Sequence, residues 1–301
     1  MTATQTIESN GILNRMRRFM QKPRQEKVRS LCSRWLRTFP KIPLPIRLPF
    51  GAWWLVRDDH TGRPLSEGHF ETAELAFTER FIQPGMTVLD LGAHHGLYTL
   101  LASKRIGNTG RVFSFEPSPR ERNALRVHLR LNRCKNVDLQ ELALGDQNGD
   151  SDLYVVEDWA AGCNSLRPPD VAARSSPVSV RVVRLDDWLA EHKIERVDFI
   201  KLDVEGAELS ILKGAQRLLK GASRPVILAE VQDARTLPWG YRARDIVTTL
   251  EGWGYQWFQL SARGSLLEIG PDRDAFDANL VAVPSELTRE VLSRLGQGSE
   301  E

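Results

Sequence analysis

Three short stretches of this chain combine glycines, carboxylates and a lysine in patterns that could bind a nucleoside and move a proton. They are Asp90-Leu-Gly-Ala-His-His-Gly96, Phe115-Glu-Pro-Ser118 and Lys201-Leu-Asp-Val-Glu-Gly206. In the first, glycines let the backbone approach a ligand, and the free N–H groups of a following helix face an anion. In the second, a carboxylate at the tip of a strand can accept both hydroxyls of a ribose.

The spacing of the glycines favours an adenosine ligand without a diphosphate. A dinucleotide fingerprint is G-x-G-x-x-G, whereas here Gly92 and Gly96 enclose three residues and a third glycine is missing. Glu116 follows Asp90 by 26 residues, at the end of the next apolar run. The alternative is a purely structural glycine turn, with a solvated Glu116 at a strand end.

Hydrophobic periodicity places these stretches at the ends of buried strands. Residues 86–91 predict a strand, and Leu97 to Ile106 predict a helix that Gly107 closes. Further strands are predicted at residues 111–115, 137–142, 152–156, 178–183, 226–231, 255–261 and 279–284, and another at the start of 197–206. Further helices are predicted at residues 70–82, 118–132, 207–220 and 243–253. Strands that alternate with helices indicate an α/β fold with a largely parallel sheet covered on both faces.

The third stretch gathers ionisable groups at one edge of that sheet. Because side chains alternate along a strand, Lys201, Asp203 and Glu205 share one face for as long as the strand persists. Open α/β sheets hold their ligands at this carboxyl edge, where Ala143-Leu-Gly-Asp146 is also predicted to lie. The long loop that contains Gly162-Cys-Asn-Ser-Leu166 could form a lid, or it could be disordered without a function.

Composition is that of an ordinary soluble globular protein. The 301 residues are 41% hydrophobic and 27% charged, which allows one large α/β domain with additions. Cys32, Cys134 and Cys163 are far apart and form no C-x-x-C pair, so we expect neither a disulfide framework nor a zinc site, and a cytoplasmic location fits best. Apolar runs fall short of the roughly 20 residues that span a bilayer, and we find no secretion signal.

Positive charge is concentrated near the amino terminus. Residues 11–39 hold nine Lys or Arg against one acid, Glu26, so the rest of the chain is mildly acidic and general nucleic-acid binding is not expected. Apolar residues recur at helical spacing from Val28 to Phe39, and residues 13–20 suggest a shorter helix before it. This arm could make peripheral contact with an anionic membrane, or the helix could pack on the body with its arginines solvated.

Taken together, the motifs closely resemble those of the FkbM family of methyltransferases. The matching blocks are Val88-Leu-Asp-Leu-Gly-Ala-His-His-Gly-Leu-Tyr-Thr99, Phe115-Glu-Pro-Ser118, Ala143-Leu-Gly-Asp146, Leu185-Asp-Asp-Trp188 and Val197-Asp-Phe-Ile-Lys-Leu-Asp-Val-Glu-Gly-Ala-Glu208. The resemblance implies a Rossmann-like class I fold with a seven-stranded, mostly parallel sheet and S-adenosylmethionine (SAM) as cofactor. It also implies an O-methyltransferase that acts on a hydroxyl of a sugar, glycolipid or polyketide-type metabolite.

The resemblance also divides the chain and assigns residues. It covers residues 65–284, leaving an amino-terminal part, 1–64, and a helix or tail at 285–301. By this resemblance SAM binding is assigned to Asp90, Gly92, Ala93, His94, Gly96, Thr99, Glu116, Pro117, Ser118, Ala143, Leu144 and Asp203. The family usually has Asn-Ile or similar where this chain has His94-His95, but binding should survive because the turn acts through its backbone.

Methyl transfer to a hydroxyl needs a group that takes the proton. An alcohol is too weak an acid to ionise unaided, so a general base or a metal is required. The predicted base is the pair Asp203 and Glu205, assisted by Lys201 or His94. Alternatively, Asp203 orients the SAM amino group and Glu205 complements the next helix dipole. A divalent cation on Asp203, Glu205 and Glu230 is a further alternative, but no carboxylate spacing fixes a cage and we predict no metal site.

Two other functions stay open at this point. A nicotinamide-dependent oxidoreductase would bind NAD more tightly than SAM, and the missing third glycine counts against it. A SAM-binding scaffold would dock on membranes or partners through residues 11–39. The residue pattern names neither the methyl acceptor nor the oligomeric state.

Overall fold

The computed structural model describes residues 24–39, 41–59, 61–157, 162–168, 174–269 and 275–297. The chain divides into two compact units, Met1–Ile46 with Trp54–Phe70 and Arg47–Trp53 with Glu71–Glu301. The helix predicted at residues 13–20 lies outside the described residues, as does part of the loop predicted as a lid. Within the described ranges, no helix combines the length and apolar character that crossing a bilayer requires.

The described residues up to Phe70 form two helices and two short strands. Helix α1 spans Arg24–Thr38 and α2 spans Gly62–Glu67, while β1, Leu44–Arg47, pairs with β2, Trp53–Val56. On α1, Cys32 and Leu36 of the predicted apolar face are buried, whereas Leu31 of the same face is exposed. The helix predicted from Val28 to Phe39 is therefore confirmed.

The larger unit alternates strands and helices. Its strands are β3 (Thr87–Leu91), β4 (Arg111–Phe115), β5 (Val137–Gln140), β6 (Ala143–Leu144), β7 (Gly149–Val156), β8 (Ser175–Val183), β9 (Phe199–Leu202), β10 (Val226–Gln232), β11 (Tyr255–Leu260), β12 (Leu266–Glu268) and β13 (Asp277–Pro284). Its helices are α3 (Thr72–Phe81), α4 (Leu97–Ile106), α5 (Pro119–Asn132), α6 (Leu185–Glu191), α7 (Glu208–Gly214), α8 (Gln216–Leu219), α9 (Asp233–Thr236), α10 (Ala243–Glu251) and α11 (Thr288–Arg294).

Eight of these strands form the main sheet, in the order β12-β11-β13-β10-β9-β3-β4-β5. Five neighbouring strands, β10, β9, β3, β4 and β5, run parallel to one another, whereas β13 is antiparallel to both β10 and β11. The mostly parallel sheet is as predicted, but the predicted strand count of seven is wrong. A tight turn, in which the Ser261 N–H donates to the Ser265 carbonyl, folds the three-residue β12 back on β11 as an eighth strand.

Both faces of the main sheet are covered, as predicted. Val88 and Phe199 belong to an apolar cluster with residues of α3 and α4, whereas Leu89 and Ile200 belong to another with residues of α6, α7 and α10. Successive strand residues therefore point into two separate cores. Polar side chains that cannot enter these cores collect past the carboxyl ends of β3, β4, β9 and β10.

A second sheet has three strands, in the order β6-β8-β7. The sequence predicts a third main-sheet strand up to residue 142 with Ala143-Leu144 at its carboxyl end. That strand instead ends at Gln140, and Ala143-Leu144 pair with Val182-Val183 of β8. In the gap between β5 and β6, the exposed Glu141 forms ion pairs with Arg122 and Arg126. The helix predicted at residues 207–220 is likewise two short helices, α7 and α8, on either side of Ala215.

Candidate active site

The turn between β3 and α4 is shaped by residues with positive φ. Gly92 has a φ of 84° and Gly96 of 88°, and His94 between them has a φ of 49°. A Cβ atom at Gly92 would lie 1.7 Å from the backbone carbonyl oxygen of Asp203. Only glycine fits there, because the left-handed conformation and this contact both disfavour a side chain. The turn therefore packs directly on the residue that follows β9.

Glu116 ties the end of β4 to the same turn. Its two carboxylate oxygens accept the backbone N–H of His94 at 2.7 Å and that of Ser118 at 2.8 Å. Burial raises the pKa of Glu116 to about 8, with a contribution from Glu121, although the two N–H donors act to lower it. A carboxylate oxygen has two lone pairs, so each can still accept a hydroxyl, and together they can hold two neighbouring hydroxyls.

Several of the residues assigned to SAM binding are buried and hydrogen-bonded. The Thr99 hydroxyl donates to Asp90 and lies 2.8 Å from the Ser114 hydroxyl. Burial raises the pKa of Asp90 to about 6. The Ser118 hydroxyl donates to Glu121. The first two bonds hold α4 against β3 and β4, and the last lies within the start of α5.

The four apolar residues assigned to SAM binding fall in two places. Ala93 is buried within the turn, and Pro117 is half-buried between Glu116 and Ser118. Ala143 and Leu144 are buried in β6, in two separate apolar clusters of the core. The structure therefore places Ala93 and Pro117 at the turn and beside Glu116. It places Ala143 and Leu144 in the three-stranded sheet. Contact of Ala143 and Leu144 with the cofactor stays a prediction.

Lys201, on β9, is a buried cation among acids. Its Nζ lies 2.9 Å from the Asp203 carboxylate and 5.1 Å from the centre of the Tyr98 ring. The Tyr98 hydroxyl donates to Glu71 at 2.5 Å. Burial acts to lower the pKa of Lys201, but Asp203 and Glu71 outweigh it and hold that pKa above its usual value. Burial acts to raise the pKa of Asp203, but Lys201 outweighs it and holds that pKa below its usual value.

Glu205 lies beyond the strand, because β9 ends at Leu202. Its carboxylate is 3.1 Å from the Arg235 Nε, and burial raises the pKa of Glu205 to about 8 despite this cation. Its backbone carbonyl accepts the Ser165 hydroxyl at 3.0 Å and the Trp239 Nε1–H at 3.2 Å. The described part of the loop predicted as a lid is thus hydrogen-bonded to this turn.

The structure adds three residues to the site that sequence analysis does not assign. They are Glu71, Tyr98 and Arg235, whose contacts with Lys201 and Glu205 are given above. Arg235 stands three residues past the end of β10, and a charged residue just past a strand end is a signal that could have identified it. Glu71 precedes α3, and nothing in its sequence neighbourhood points to the site.

Among the residues that the structure describes, two groups of side chains bring together atoms that could bind a metal ion. One ligand atom from each of Asp203, Glu205 and Glu230 lies within 4.8 Å of the others, and the same holds for a second group, His94, His95 and Glu121. Oxygen ligands suit hard divalent cations. In the first group, Lys201 and Arg235 already pair with two of the three carboxylates. A divalent cation there stays an alternative.

Comparison with known proteins decides the family. Residues 90–257, more than half of the chain, match the family described as "Methyltransferase FkbM domain". The chain belongs to the FkbM methyltransferase family. This confirms the family that the motifs predict, and with it the Rossmann-like class I fold and the class of SAM-dependent methyltransferases.

Individual relatives of this FkbM-family chain are distant. It is 28% identical over 149 residues to the 2-O-methyltransferase NoeI of Sinorhizobium fredii, covering 46% of this chain and 60% of that protein. It is 29% identical over 224 residues to the 31-O-demethyl-FK506 methyltransferase FkbM of Streptomyces tacrolimicus, covering 62% of this chain and 81% of that protein. The chain therefore spans less than two thirds of the length of the first relative.

A solved structure adds a further likeness. The O-methyltransferase from Bacillus cereus in complex with SAH has a TM-score of 0.42 and 14% identity to this FkbM-family chain, covering 71% of this chain and 80% of that one.

The residues of this FkbM-family site suit a sulfonium nucleoside. The Gly92 turn presents backbone without a side chain, and Glu116 offers two oxygens for a ribose. Past β9, the carboxylate of Asp203, whose pKa Lys201 holds below its usual value, supplies negative charge for a ligand that carries positive charge.

Proposed function

We propose that this protein is an O-methyltransferase that uses SAM to methylate a hydroxyl of a sugar, glycolipid or polyketide-type metabolite. The observation that carries the proposal is the convergence of Gly92, Glu116 and Asp203, three points far apart in sequence, on one edge of the sheet. The names of the two relatives, 2-O-methyltransferase and 31-O-demethyl-FK506 methyltransferase, both refer to methylation of an oxygen, which supports a hydroxyl acceptor.

In this proposal the residues position two ligands against each other. Bound SAM supplies a methyl group that its sulfonium already activates, so the protein contributes mainly alignment. The Glu116 carboxylate accepts the ribose hydroxyls, and the backbone of the Gly92 turn borders the cofactor. Asp203, held by Lys201, orients the positively charged end of the cofactor. A carboxylate at the same edge then takes the proton of the acceptor hydroxyl.

Calorimetry tests the cofactor and radiolabelling tests the reaction. We expect SAM and S-adenosylhomocysteine to bind, NAD to bind at least 100-fold more weakly, and label from [methyl-³H]SAM to appear in a hydroxyl compound from a panel of p-nitrophenyl glycosides. Folded protein that binds neither SAM nor S-adenosylhomocysteine would contradict the proposal. Tighter binding of NAD than of SAM would favour the nicotinamide oxidoreductase instead.

We also propose that this protein is cytoplasmic and contacts an anionic membrane surface through α1. On this helix and just past it, Leu31 and Phe39 are 54% and 44% exposed, and Arg34 and Arg37 are exposed beside them. Exposed apolar side chains flanked by cations suit the interface of an anionic bilayer. We expect the wild type to sediment with phosphatidylserine vesicles but not with neutral vesicles. The double variant Leu31→Ser/Phe39→Ser should not sediment with phosphatidylserine vesicles. Methyl transfer by the same preparation would exclude a purely scaffolding role.

A further inference from the structure

Glu230 stands beside Asp203 at the carboxyl edge of the main sheet. Ala229 of β10 is in register with Leu202 of β9, so the next residues, Glu230 and Asp203, follow side by side. On its other side Glu230 is in register with Asn279 of β13. One carboxylate oxygen each from Asp203, Glu205 and Glu230 lies within 4.8 Å of the others. Three acids thus share the place where the acceptor must meet the methyl group.

Two of these three acids are already engaged by cations. Lys201 Nζ lies 2.9 Å from the Asp203 carboxylate, and Arg235 Nε lies 3.1 Å from that of Glu205. A carboxylate paired in this way is a weaker proton acceptor, because protonation would leave the cation without its partner. Of the pair predicted from the sequence as base, Asp203 is therefore suited to holding negative charge, because Lys201 keeps its pKa below the usual value. Glu205 keeps a raised pKa, of about 8, but its carboxylate is held in place by Arg235.

Glu230 differs from both neighbours. Its Oε2 is inaccessible to solvent and has no hydrogen-bond partner among the residues that the structure describes. A buried acceptor atom with no donor is costly unless a ligand supplies the donor. An acceptor hydroxyl, which has one proton to donate, is such a ligand.

The surroundings also make Glu230 a strong proton acceptor. Burial, together with Asp203, Glu205 and Glu208, raises the pKa of Glu230 well above its usual value, while Lys201 acts to lower it. The other charged or titratable groups that face it are Arg235 of α9 and Cys163 of the loop before β8. A base with a raised pKa takes a proton from an alcohol more readily than an ordinary carboxylate does.

We propose that Glu230 is the general base of the methyl transfer, an inference that rests on the proposed function. The Glu230 carboxylate accepts the proton of the acceptor hydroxyl as the hydroxyl oxygen forms its bond to the methyl carbon. The carbon–sulfur bond of SAM breaks, and its electron pair stays on sulfur. The products are a methyl ether, S-adenosylhomocysteine and a protonated Glu230, which returns its proton to water.

Kinetics of matched variants test this role. Wild type, Glu230→Gln, Glu230→Asp, Glu205→Gln and the surface control Glu141→Gln are compared with the p-nitrophenyl glycoside that the wild type methylates best. We expect Glu230→Gln to bind SAM within threefold of wild type and to lose at least about 100-fold in kcat. Glu230→Asp should recover part of this loss. The kcat of wild type should rise with pH to a plateau, and the residual kcat of Glu230→Gln should not.

Three outcomes would overturn the assignment. The first is a kcat of Glu230→Gln within threefold of wild type. The second is a larger kcat loss in Glu205→Gln than in Glu230→Gln. The third is recovery of Glu230→Gln by added Mg²⁺, which would make Glu230 a metal ligand. Failure of wild type to bind SAM or S-adenosylhomocysteine is a different result, because it would contradict the proposed function itself.

A second measurement does not depend on finding the acceptor. In protein labelled with ¹³C at the glutamate carboxyl groups, NMR should show a carboxyl whose pKa is well above that of an ordinary glutamate and whose signal is missing from Glu230→Gln. Glu205→Gln should leave that signal in place. A Glu230 carboxyl that titrates with an ordinary glutamate pKa would overturn the assignment even without an acceptor.

Discussion

The backbone carbonyl of Asp203 packs against Gly92 so closely that no side chain fits between them. Gly92 begins the turn after β3, and Asp203 follows β9, so this one contact joins two of the three stretches that carry chemistry. The contact also makes the turn sensitive to a single methyl group.

Gly92→Ala is expected to destabilise the fold and abolish SAM binding. The left-handed φ of 84° costs an alanine about 1–2 kcal/mol, and the overlap with Asp203 adds to this because the neighbour is backbone. Urea unfolding measures the loss. Gly296→Ala is the matched control, since Gly296 also has a positive φ, 67°, but no atom within 4 Å of the added methyl. Equal losses in the two variants would contradict the role of the Asp203 contact.

Glu116→Gln is expected to weaken SAM binding by about 10- to 100-fold. The pKa of Glu116 is about 8 without cofactor, but donation from two ribose hydroxyls favours its ionised form in the complex, and a hydrogen bond to a charged acceptor contributes about 1.5–3 kcal/mol. An amide also cannot accept from both His94 and Ser118 while accepting two hydroxyls. Calorimetry with SAM measures the change. Glu141→Gln, at an exposed acid past β5, should bind SAM like wild type. Unchanged affinity in Glu116→Gln would remove the ribose role from this residue.

Stability without cofactor is expected to fall as pH rises from about 4.5 to about 8. In the folded protein the pKa values of Glu116 and Glu205 are raised from 4.5 to about 8, so the folded state binds protons that the unfolded chain releases. By linkage, each such proton lowers the free energy of unfolding by at most about 1.4 kcal/mol per pH unit within this window. Asp203 and Lys201 titrate outside it.

Urea unfolding at pH 5, 6, 7 and 8 measures this dependence. Glu116→Gln should show a shallower slope than wild type, because its amide does not titrate. A free energy of unfolding that rises across the window would mean that these carboxyls are ionised in the folded protein.

Lys201→Met is expected to cost about 3–5 kcal/mol of stability, because it leaves buried acids without their cation. Lys201 pairs with Asp203 and also offsets the charge of Glu71 and Asp90. The double variant Lys201→Met/Asp203→Asn should recover part of the loss, which a double-mutant cycle in urea measures. Lys213→Met, at an exposed lysine, should change stability by less than about 0.5 kcal/mol. Additive losses would mean that the two side chains are not coupled.

The sequence by itself determined the parts of this protein that depend on local chain geometry. The strand, turn and helix around Gly92 and Gly96, and the acid Glu116 past the next strand, follow from residue spacing and from the φ values that glycine permits. The same periodicity predicted the mostly parallel sheet, and the resemblance of the motif blocks predicted the family. Periodicity missed β12 and the break after Gln140, because a three-residue strand and a two-residue change of direction leave almost no periodic signal.

Only the tertiary structure decided which acids are paired and which is not. Lys201 pairs with Asp203 and Arg235 pairs with Glu205, whereas a buried oxygen of Glu230 has no donor among the described residues. These partners come from different elements, and the pKa shifts that separate them depend on burial, which no local pattern of residues records. For the same reason the contact between Gly92 and Asp203, more than a hundred residues apart, appears only when β3 and β9 lie side by side.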